Sequence, residues 1–357
     1  MRYVPITFLK EDMVIGKDVY GKYGEIYLKR NAKLTEKYIR HLDALGYLGI
    51  YIEDELSEGI DIDEVMDPKA RLSAVSKVKD IYTSIRSNNK GMLNNWSDIE
   101  VLTESIIDEL LSSDSTSYNV MYIKTHDDYT YSHCVNVALI VSIVGKKMMM
   151  SKQTIMDLFK SALMHDIGKI FIPSAILNKP GKLNDEEYDL IKRHPLKGYE
   201  YLTEQGCLTI QGRRGVLMHH EYHSGKGYPF GLTDKSINLF AKILCISDVY
   251  DALVSDRPYR KAWSQSEALE YIMANAGHMF DPEIARVFIN SITPYNPGTL
   301  VELSNGYKAV VIKNNKGLPL RPLLRIYEEE GKRVDLYEID LKDNNEYLNI
   351  VIVGEIN

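Results

Sequence analysis

Metal-capable side chains recur on the apolar faces of predicted helices in the middle of this chain. The sequence has nine histidines, and all except His41 lie between residues 126 and 278. In one predicted helix, His133 is in register with Val137 and Val144, so its imidazole faces inward. A histidine in a helix core must find a hydrogen-bond partner or a metal ion, and this limits what the helices can pack against.

The same pattern continues through three further predicted helices. A second helix begins at Ser151, and its apolar stripe extends to His165. A third begins with a capping box formed by Asn184 and Glu187, and it ends at His194-Pro195 because proline disfavours helical conformation in the residue before it. A later helix carries Asp248 on its inner row. Each helix therefore directs a polar side chain into the predicted core.

Together, the inward polar side chains have the composition of a metal site. They are His133, His165, Asp166, His194, His219, His220 and Asp248. Burying them without compensation would cost several kcal/mol per charge. Divalent cations remove this cost, and the nitrogen and oxygen ligands favour iron, manganese, zinc or magnesium. So many ligands suit two adjacent ions, which Asp166 could bridge.

The N-terminal segment has a mixed pattern that predicts a small α+β module. Short β-like runs occur at Ile26–Leu28 and Ile50–Ile52, and a helical pattern covers residues 35–45. An acidic stretch at residues 53–67 then ends at Pro68, which is the expected boundary.

The remaining segments are predicted to be helical up to about residue 293 and β-rich beyond it. Ser304-Asn305-Gly306 predicts a hairpin between strands at Leu300–Leu303 and Tyr307–Ile312. Further strands are expected at Leu323–Tyr327, Val334–Ile339 and Leu348–Val353. The predicted units are an α+β module at 1–67, connecting helices at 68–116, a helical domain at 117–293 and a β-rich extension at 294–357.

Composition excludes several other classes of protein. The net charge is −7, so we expect no surface that coats nucleic acid. The three cysteines are too dispersed for a disulfide framework or a thiolate zinc site, which favours a reducing, cytoplasmic setting. No apolar run approaches the length of a membrane span.

Five linked motifs resemble those of the HD-GYP subfamily of HD phosphohydrolases. They are His165-Asp166-Ile167-Gly168-Lys169, His194-Pro195, His219-His220-Glu221 with the loop Gly225-Lys226-Gly227-Tyr228-Pro229, Asp248 to Leu253, and Arg257-Pro258-Tyr259-Arg260. The resemblance implies an all-α HD-type catalytic core within a multidomain chain. It also implies a phosphodiesterase that converts cyclic di-GMP to linear pGpG, and in some members to GMP. The seven side chains above match the family's metal ligands, and iron or manganese is the expected metal.

The resemblance and the residue chemistry together suggest roles around this centre. Asp166 and Lys169 are the expected catalytic residues, since Lys169 follows the His-Asp pair closely enough to reach a phosphate oxygen. The expected substrate contacts are Lys169, Tyr228, Asp251, Arg257 and Arg260. Tyr228 offers a ring for stacking on a base. Glu221 and Asp251 are expected to orient imidazoles and arginines.

Two departures from the family pattern leave alternatives open. Ser224 stands where the family loop usually carries an acid, which leaves room for a catalytically weak cyclic dinucleotide receptor. Tyr129 stands where trimetallic members have a glutamate, which favours two metal ions over three. A general HD nucleotide phosphohydrolase is the other alternative, although the Gly-Tyr-Pro loop and the Arg257/Arg260 pair argue against it. A homodimer formed through the helices before the core also stays open.

Overall fold

The structure is a computed structural model of the 357-residue chain. It describes residues 1–21, 24–47, 49–62, 66–87, 92–112, 129–255, 262–315, 317–342 and 347–356. Arg257 and Arg260, and the histidine and aspartates at positions 126–128, fall outside these ranges.

The N-terminal module combines two small sheets with one helix, as the sequence predicts. Its elements are β1 (Arg2–Pro5), β2 (Val14–Ile15), β3 (Val19–Tyr20), β4 (Ile26–Leu28), α1 (Glu36–Ala44) and β5 (Gly49–Glu53). The three-stranded sheet has the order β1-β5-β2, and β3 pairs with β4. The predicted α1 is confirmed, with Thr35 as its N-cap. The sequence pattern missed β1, β2 and β3, which are short.

The helical body follows in chain order. Its helices are α2 (Pro68–Arg86), α3 (Met92–Ser112), α4 (Tyr129–Lys147), α5 (Lys152–Leu163), α6 (Ser174–Leu177), α7 (Asp185–Ile191), α8 (His194–Glu204), α9 (Ile210–Met218), α10 (Leu239–Val254), α11 (Gln265–Ala274) and α12 (Pro282–Ile289). A 3-10 helix at Ile167–Phe171 separates α5 from α6. The caps predicted at Ser151 and at Asn184 with Glu187 are confirmed. The third helix ends at Ile191, and Pro195 lies in the first turn of the next one, where proline is tolerated.

Helices α2 and α3 share a continuous hydrophobic core with the helices that follow them. Val78 and Ile81 of α2, and Ile99 and Ile107 of α3, are fully buried in the same cluster as the apolar stripe of α4. These apolar side chains of α2 and α3 are therefore covered within one chain. A homodimer through these helices stays a prediction.

The C-terminal extension is a five-stranded antiparallel sheet. Its strands are β6 (Leu300–Leu303), β7 (Lys308–Asn315), β8 (Leu318–Glu329), β9 (Lys332–Asp340) and β10 (Ile352–Ile356), in the order β10-β6-β7-β8-β9. Four of the five predicted strands are confirmed. The fifth, expected at Leu348–Val353, overlaps β10 only at residues 352–353, because residues 348–349 form a turn. Arg325 of β8 donates to the carbonyls of Leu56 (3.1 Å) and Glu58 (2.7 Å), so this sheet contacts the N-terminal module.

Among the residues that the structure describes, no helix is both long enough and apolar enough to cross a bilayer.

Candidate metal centre

The seven predicted ligands converge, but most lie at helix ends rather than on helix faces. His133 and Asp248 lie within α4 and α10, and His194 is the first residue of α8. The two adjacent pairs, His165-Asp166 and His219-His220, lie in the turns that follow α5 and α9. The prediction that His165 continues a helical stripe is wrong, because α5 ends at Leu163 and the chain turns before it reaches His165.

Helix-end carbonyls orient three of the imidazoles in the same way. Each ring has its Nδ1 within hydrogen-bond distance of the carbonyl three residues earlier: His165 with Ala162 (2.7 Å), His194 with Ile191 (2.8 Å) and His219 with Val216 (2.7 Å). A carbonyl can only accept, so Nδ1 carries the hydrogen. Carbonyls at a helix end have no partner within the helix, so they are available for this role. In each neutral ring, Nε2 is left with its lone pair toward the centre, as a metal ligand requires.

His133 is oriented by a carboxylate instead. Its Nδ1 lies 2.6 Å from Oδ2 of Asp251, and its Nε2 lies 3.1 Å from Oδ1 of Asp248. The Asp251 side chain is fully buried. The expectation that Asp251 contacts substrate therefore does not fit its position, whereas the expectation that it orients an imidazole does.

Asp166 connects two groups of ligands. Its Oδ2 lies 3.5 Å from Nε2 of His165 and 4.0 Å from Nε2 of His133. Its Oδ1 lies 3.3 Å from Nε2 of His194 on the other side. Ligand atoms of His194, His219 and His220 form one cluster within 4.8 Å, and those of His133, His165 and Asp166 form another. A third group, His165, His219 and Asp248, overlaps both clusters. A single carboxylate thus faces both clusters with different oxygens.

Several polar atoms at this centre have the surroundings expected of metal ligands. Nε2 of His165 and Oδ1 of Asp166 are buried and make no hydrogen bond within the described chain. Nε2 of His194 lies 3.3 Å from Nε2 of His219, and each ring already has its hydrogen on Nδ1. Two lone pairs therefore face each other, an arrangement that a cation between them would stabilise. These residues fit a divalent metal.

The protonation states also suit metal binding. Burial, helped by Lys169, lowers the pKa of His194 to about 3. Burial also lowers the pKa of His220 to about 4. Burial raises the pKa of Asp166, but Lys169 and His165 outweigh it and hold this pKa well below its usual value. At neutral pH, these two imidazoles are neutral and the carboxylate is ionised, which are the forms that bind metal.

In the metal-free chain, His133 and Lys169 supply the positive charge that balances the negative charge of the aspartates. Burial lowers the pKa of His133, but hydrogen bonds to Asp248 and Asp251 outweigh it and raise the pKa to about 10. The metal-free ring is therefore protonated at neutral pH, and a metal ion on its Nε2 would displace that proton. Lys169 places its Nζ 2.5 Å from Oδ2 of Asp166. The Lys169 side chain is 30% exposed, so it lies between the buried carboxylate and solvent. Lys169 is therefore at the solvent-facing edge of the centre.

The Gly-Tyr-Pro loop is held against the centre by its own backbone and by Glu221. The Glu221 carboxylate accepts from the amides of Phe230 (2.7 Å) and Leu232 (2.9 Å). Glu221 therefore anchors the loop. Its expected role in orienting imidazoles or arginines stays a prediction, because Arg257 and Arg260 lie outside the described residues. A Cβ on Gly227 would lie 2.3 Å from the carbonyl oxygen of His220. This glycine thus permits close packing of the loop against the turn that carries His220.

Tyr228 lies directly on one of the ligands. Its ring stacks on His220 with centroids 4.6 Å apart and an interplanar angle of 28°. Its ring is half-buried, so one part contacts the centre and another faces solvent. Ser224 pairs with Thr233 across the base of the loop, and its hydroxyl is buried without a hydrogen-bond partner among the described residues. The side chain of Tyr129 is not among those described.

A second polar network, which the sequence analysis missed, supports the far side of the loop. Lys242 pairs with Asp234 and, at 2.8 Å, with Asp281. Nδ1 of His223 lies 3.3 Å from Asp234, so His223 is part of this network rather than simply a surface residue. Sequence spacing carries no signal for these contacts, because the partners belong to different elements brought together by the fold.

Comparison with known proteins identifies the helical part of the chain. Residues 116–284 match the family model described as HD domain, and residues 300–357 match the model described as KOW domain associated with HD domain. The segment 116–284 is an HD domain. It contains all seven predicted ligands.

Two curated relatives and one solved structure extend this comparison. A cyclic di-GMP phosphodiesterase of Pseudomonas aeruginosa is 34% identical over 66% of this chain, and 56% of that protein is covered. The cyclic di-GMP phosphodiesterase response regulator RpfG of Xanthomonas campestris is 40% identical over 45% of this chain and 43% of its own length. The chain thus spans about half the length of these relatives. Bd1817, an HDG"Y"P protein of Bdellovibrio bacteriovorus, has a similar fold, with a TM-score of 0.52 and 16% identity over 80% of this chain and 97% of its own.

Proposed function

We propose that this chain is a metal-dependent phosphodiesterase that hydrolyses cyclic di-GMP to linear pGpG. The observation that carries the proposal is the position of Asp166, whose Oδ2 lies near His133 and His165 and whose Oδ1 lies near His194. This arrangement suits two divalent ions that share one carboxylate. The similarity to phosphodiesterases named for cyclic di-GMP supports the choice of substrate.

The residues of the site fall into those that would bind the metal ions and those that would contact the substrate. His133, His165, Asp166 and Asp248 would hold one ion, and His194, His219 and His220 would hold the other with Asp166. When bound, the ions would supply Lewis-acid activation of water and of the phosphate. Iron and manganese are the proposed metals, since both accept this mixture of nitrogen and oxygen ligands.

Lys169 and Tyr228 are the proposed substrate contacts within the described chain. The Lys169 ammonium can leave Oδ2 of Asp166 for a phosphate oxygen, since a metal ion on Asp166 would take over the balance of charge. The half-buried ring of Tyr228 borders the centre and can pack against a nucleobase. Arg257 and Arg260 remain predicted substrate contacts. The cytoplasmic setting, in which the protein would encounter such a substrate, also remains a prediction.

The test is direct incubation of metal-loaded protein with cyclic di-GMP under reducing conditions. The proposal predicts linear pGpG by chromatography, and a second cut would appear as GMP. Parallel reactions with cyclic GMP-AMP and cyclic di-AMP define base preference. The variant Asp166→Ala, which keeps the other six ligands, is the matched control, because it removes the shared carboxylate without altering the loop.

Ser224 is the observation that favours the second candidate, a receptor that binds the cyclic dinucleotide with little turnover. Its hydroxyl is neutral where the family loop usually carries an acid, and it is buried at the base of the loop. Tight binding of cyclic di-GMP with no product, by protein shown to contain two ions per chain, would establish the receptor and refute the phosphodiesterase.

A further inference from the structure

Tyr82 lies outside the HD domain segment and contacts two elements that carry predicted ligands. It belongs to α2, and its side chain is 4% exposed. Its hydroxyl lies 3.2 Å from the carbonyl oxygen of Leu163 and 3.6 Å from Sγ of Cys134. Leu163 ends α5 two residues before His165, and Cys134 follows His133 in α4. One buried hydroxyl therefore joins the two ligand-bearing elements.

The contact with Leu163 explains why a tyrosine is needed here. The carbonyls in the last turn of α5 lack helical partners, because the chain leaves the helix to form the ligand turn. Nδ1 of His165 bonds the carbonyl of Ala162, and the Tyr82 hydroxyl donates to the next carbonyl, that of Leu163. Adjacent carbonyls are thus satisfied by a predicted metal ligand and by Tyr82. A shift of this helix end would move the His165 imidazole with it.

A second polar contact fixes α2 against α4 near the same ligand. The Arg71 guanidinium donates to Oδ1 of Asn136, which is 2% exposed and lies three residues after His133. Residues three apart lie on neighbouring positions of a helix surface. Helix α2 also packs against the 3-10 helix that carries Lys169.

We infer that Tyr82 is a positioning residue for the metal centre, through which α2 sets the placement of the His133 and His165 ligands. The inference rests on the proposed function for its link to catalysis, but its effect on metal binding can be measured independently. Through Tyr82, the segment before the HD domain would also help to position the metal ligands. Any partner that shifts α2 would act on both ligand elements.

The test compares Tyr82→Phe with Tyr131→Phe in the full chain. The two rings pack edge-to-face with centroids 5.6 Å apart, so each variant removes one hydroxyl from the same aromatic pair. Only Tyr82→Phe removes the donor to Leu163. Manganese-loaded proteins are mixed with excess chelator, and the rate of metal loss is followed. We expect metal loss about 10-fold faster in Tyr82→Phe than in wild type, and within about twofold of wild type in Tyr131→Phe.

Two further measurements separate positioning from a general structural effect. In turnover of cyclic di-GMP, Tyr82→Phe should lower kcat with KM unchanged, because ligand placement changes while the substrate pocket does not. Equal rates of metal loss in the two variants would overturn the inference, as would a fall in the melting temperature of Tyr82→Phe without faster metal loss. If wild type turns over no cyclic dinucleotide, the proposed function fails while the metal-loss comparison still decides the role of Tyr82.

Discussion

At the scale of single residues, the chemistry of each imidazole at this centre depends on the group that contacts its Nδ1. Helix-end carbonyls accept from Nδ1 of His165, His194 and His219, whereas Asp251 takes that position behind His133. A carboxylate raises the basicity of the ring that it contacts more than a neutral carbonyl does. His133 should therefore be the most electron-rich of these ligands.

Replacing Asp251 with asparagine tests this difference. The amide keeps the shape and one acceptor oxygen, but it removes the negative charge behind His133. We expect metal affinity to fall by about 10-fold, measured by competition with a calibrated chelator. Asp80→Asn, at an exposed position of α2, is the control and should leave affinity unchanged. An affinity in Asp251→Asn equal to that of wild type would show that the carboxylate does not tune this ligand.

Lys169 is predicted to act on the substrate rather than on the metal. Lys169→Met keeps the length of the side chain and removes the ammonium that pairs with Asp166. We expect full metal content by elemental analysis and a kcat for cyclic di-GMP lowered by about 100-fold, because a charge aimed at the reacting phosphate is lost. Lys197→Met, on the exposed face of α8, should retain wild-type kcat. Unchanged turnover in Lys169→Met would refute a role for this residue at the phosphate.

At the scale of elements, short contacts determine how the ligand turns meet. A Cβ on Gly168 would lie 1.9 Å from the carbonyl oxygen of His194, so the 3-10 helix and α8 can approach closely only with glycine at this position. On the other side, the Gly-Tyr-Pro loop is fixed by Glu221 and by the network around Lys242.

The Lys242 network gives this region a defined dependence on pH. Burial raises the pKa of Asp281. The ion pair with Lys242, and the backbone amides that the Asp281 carboxylate caps, outweigh this effect and lower the pKa below its usual value. The unfolded chain therefore binds the proton more tightly. The stabilisation is present above the unfolded pKa of about 3.9 and is lost as the pH falls through the lower folded value.

Asp281→Asn isolates this contribution, because asparagine also serves as an N-cap for α12. Urea unfolding of metal-free wild type and variant should show wild type more stable at pH 7. The difference in unfolding free energy should shrink at about pH 3, where Asp281 begins to protonate. A difference that stays constant between the two pH values would show that charge on Asp281 does not contribute.

At the scale of the whole molecule, the hydrophobic core of the HD domain includes side chains that precede the domain in the sequence. Val78, Ile81, Ile99 and Ile107 lie before it in sequence and are 0% exposed. Each such side chain contributes about 1.5–3 kcal/mol when buried. A fragment of residues 117–357 should therefore aggregate or unfold without a cooperative transition, whereas a fragment of residues 67–357 should melt cooperatively in calorimetry. Cooperative melting of the shorter fragment near the temperature of the longer one would contradict this account.

Sequence patterns predicted the large elements and the seven side chains that converge, because both depend on local periodicity and on residue chemistry. The helix carrying His133 and the strand Leu300–Leu303 appear where their periods place them. The patterns failed where function depends on distant contacts. Glu221 beneath the loop and Tyr82 behind Leu163 each have partners that only the tertiary fold defines. Asp251 was expected to orient an imidazole, but the sequence did not indicate that this imidazole belongs to His133.

The central claim is that turnover requires two divalent ions that share Asp166. The most direct test adds manganese stepwise to metal-free protein and measures bound metal per chain and cyclic di-GMP turnover in the same samples. The account predicts that turnover appears only as the second ion binds and that Asp166→Ala shows none at any loading. Full turnover with one ion per chain, or none with two, would contradict it.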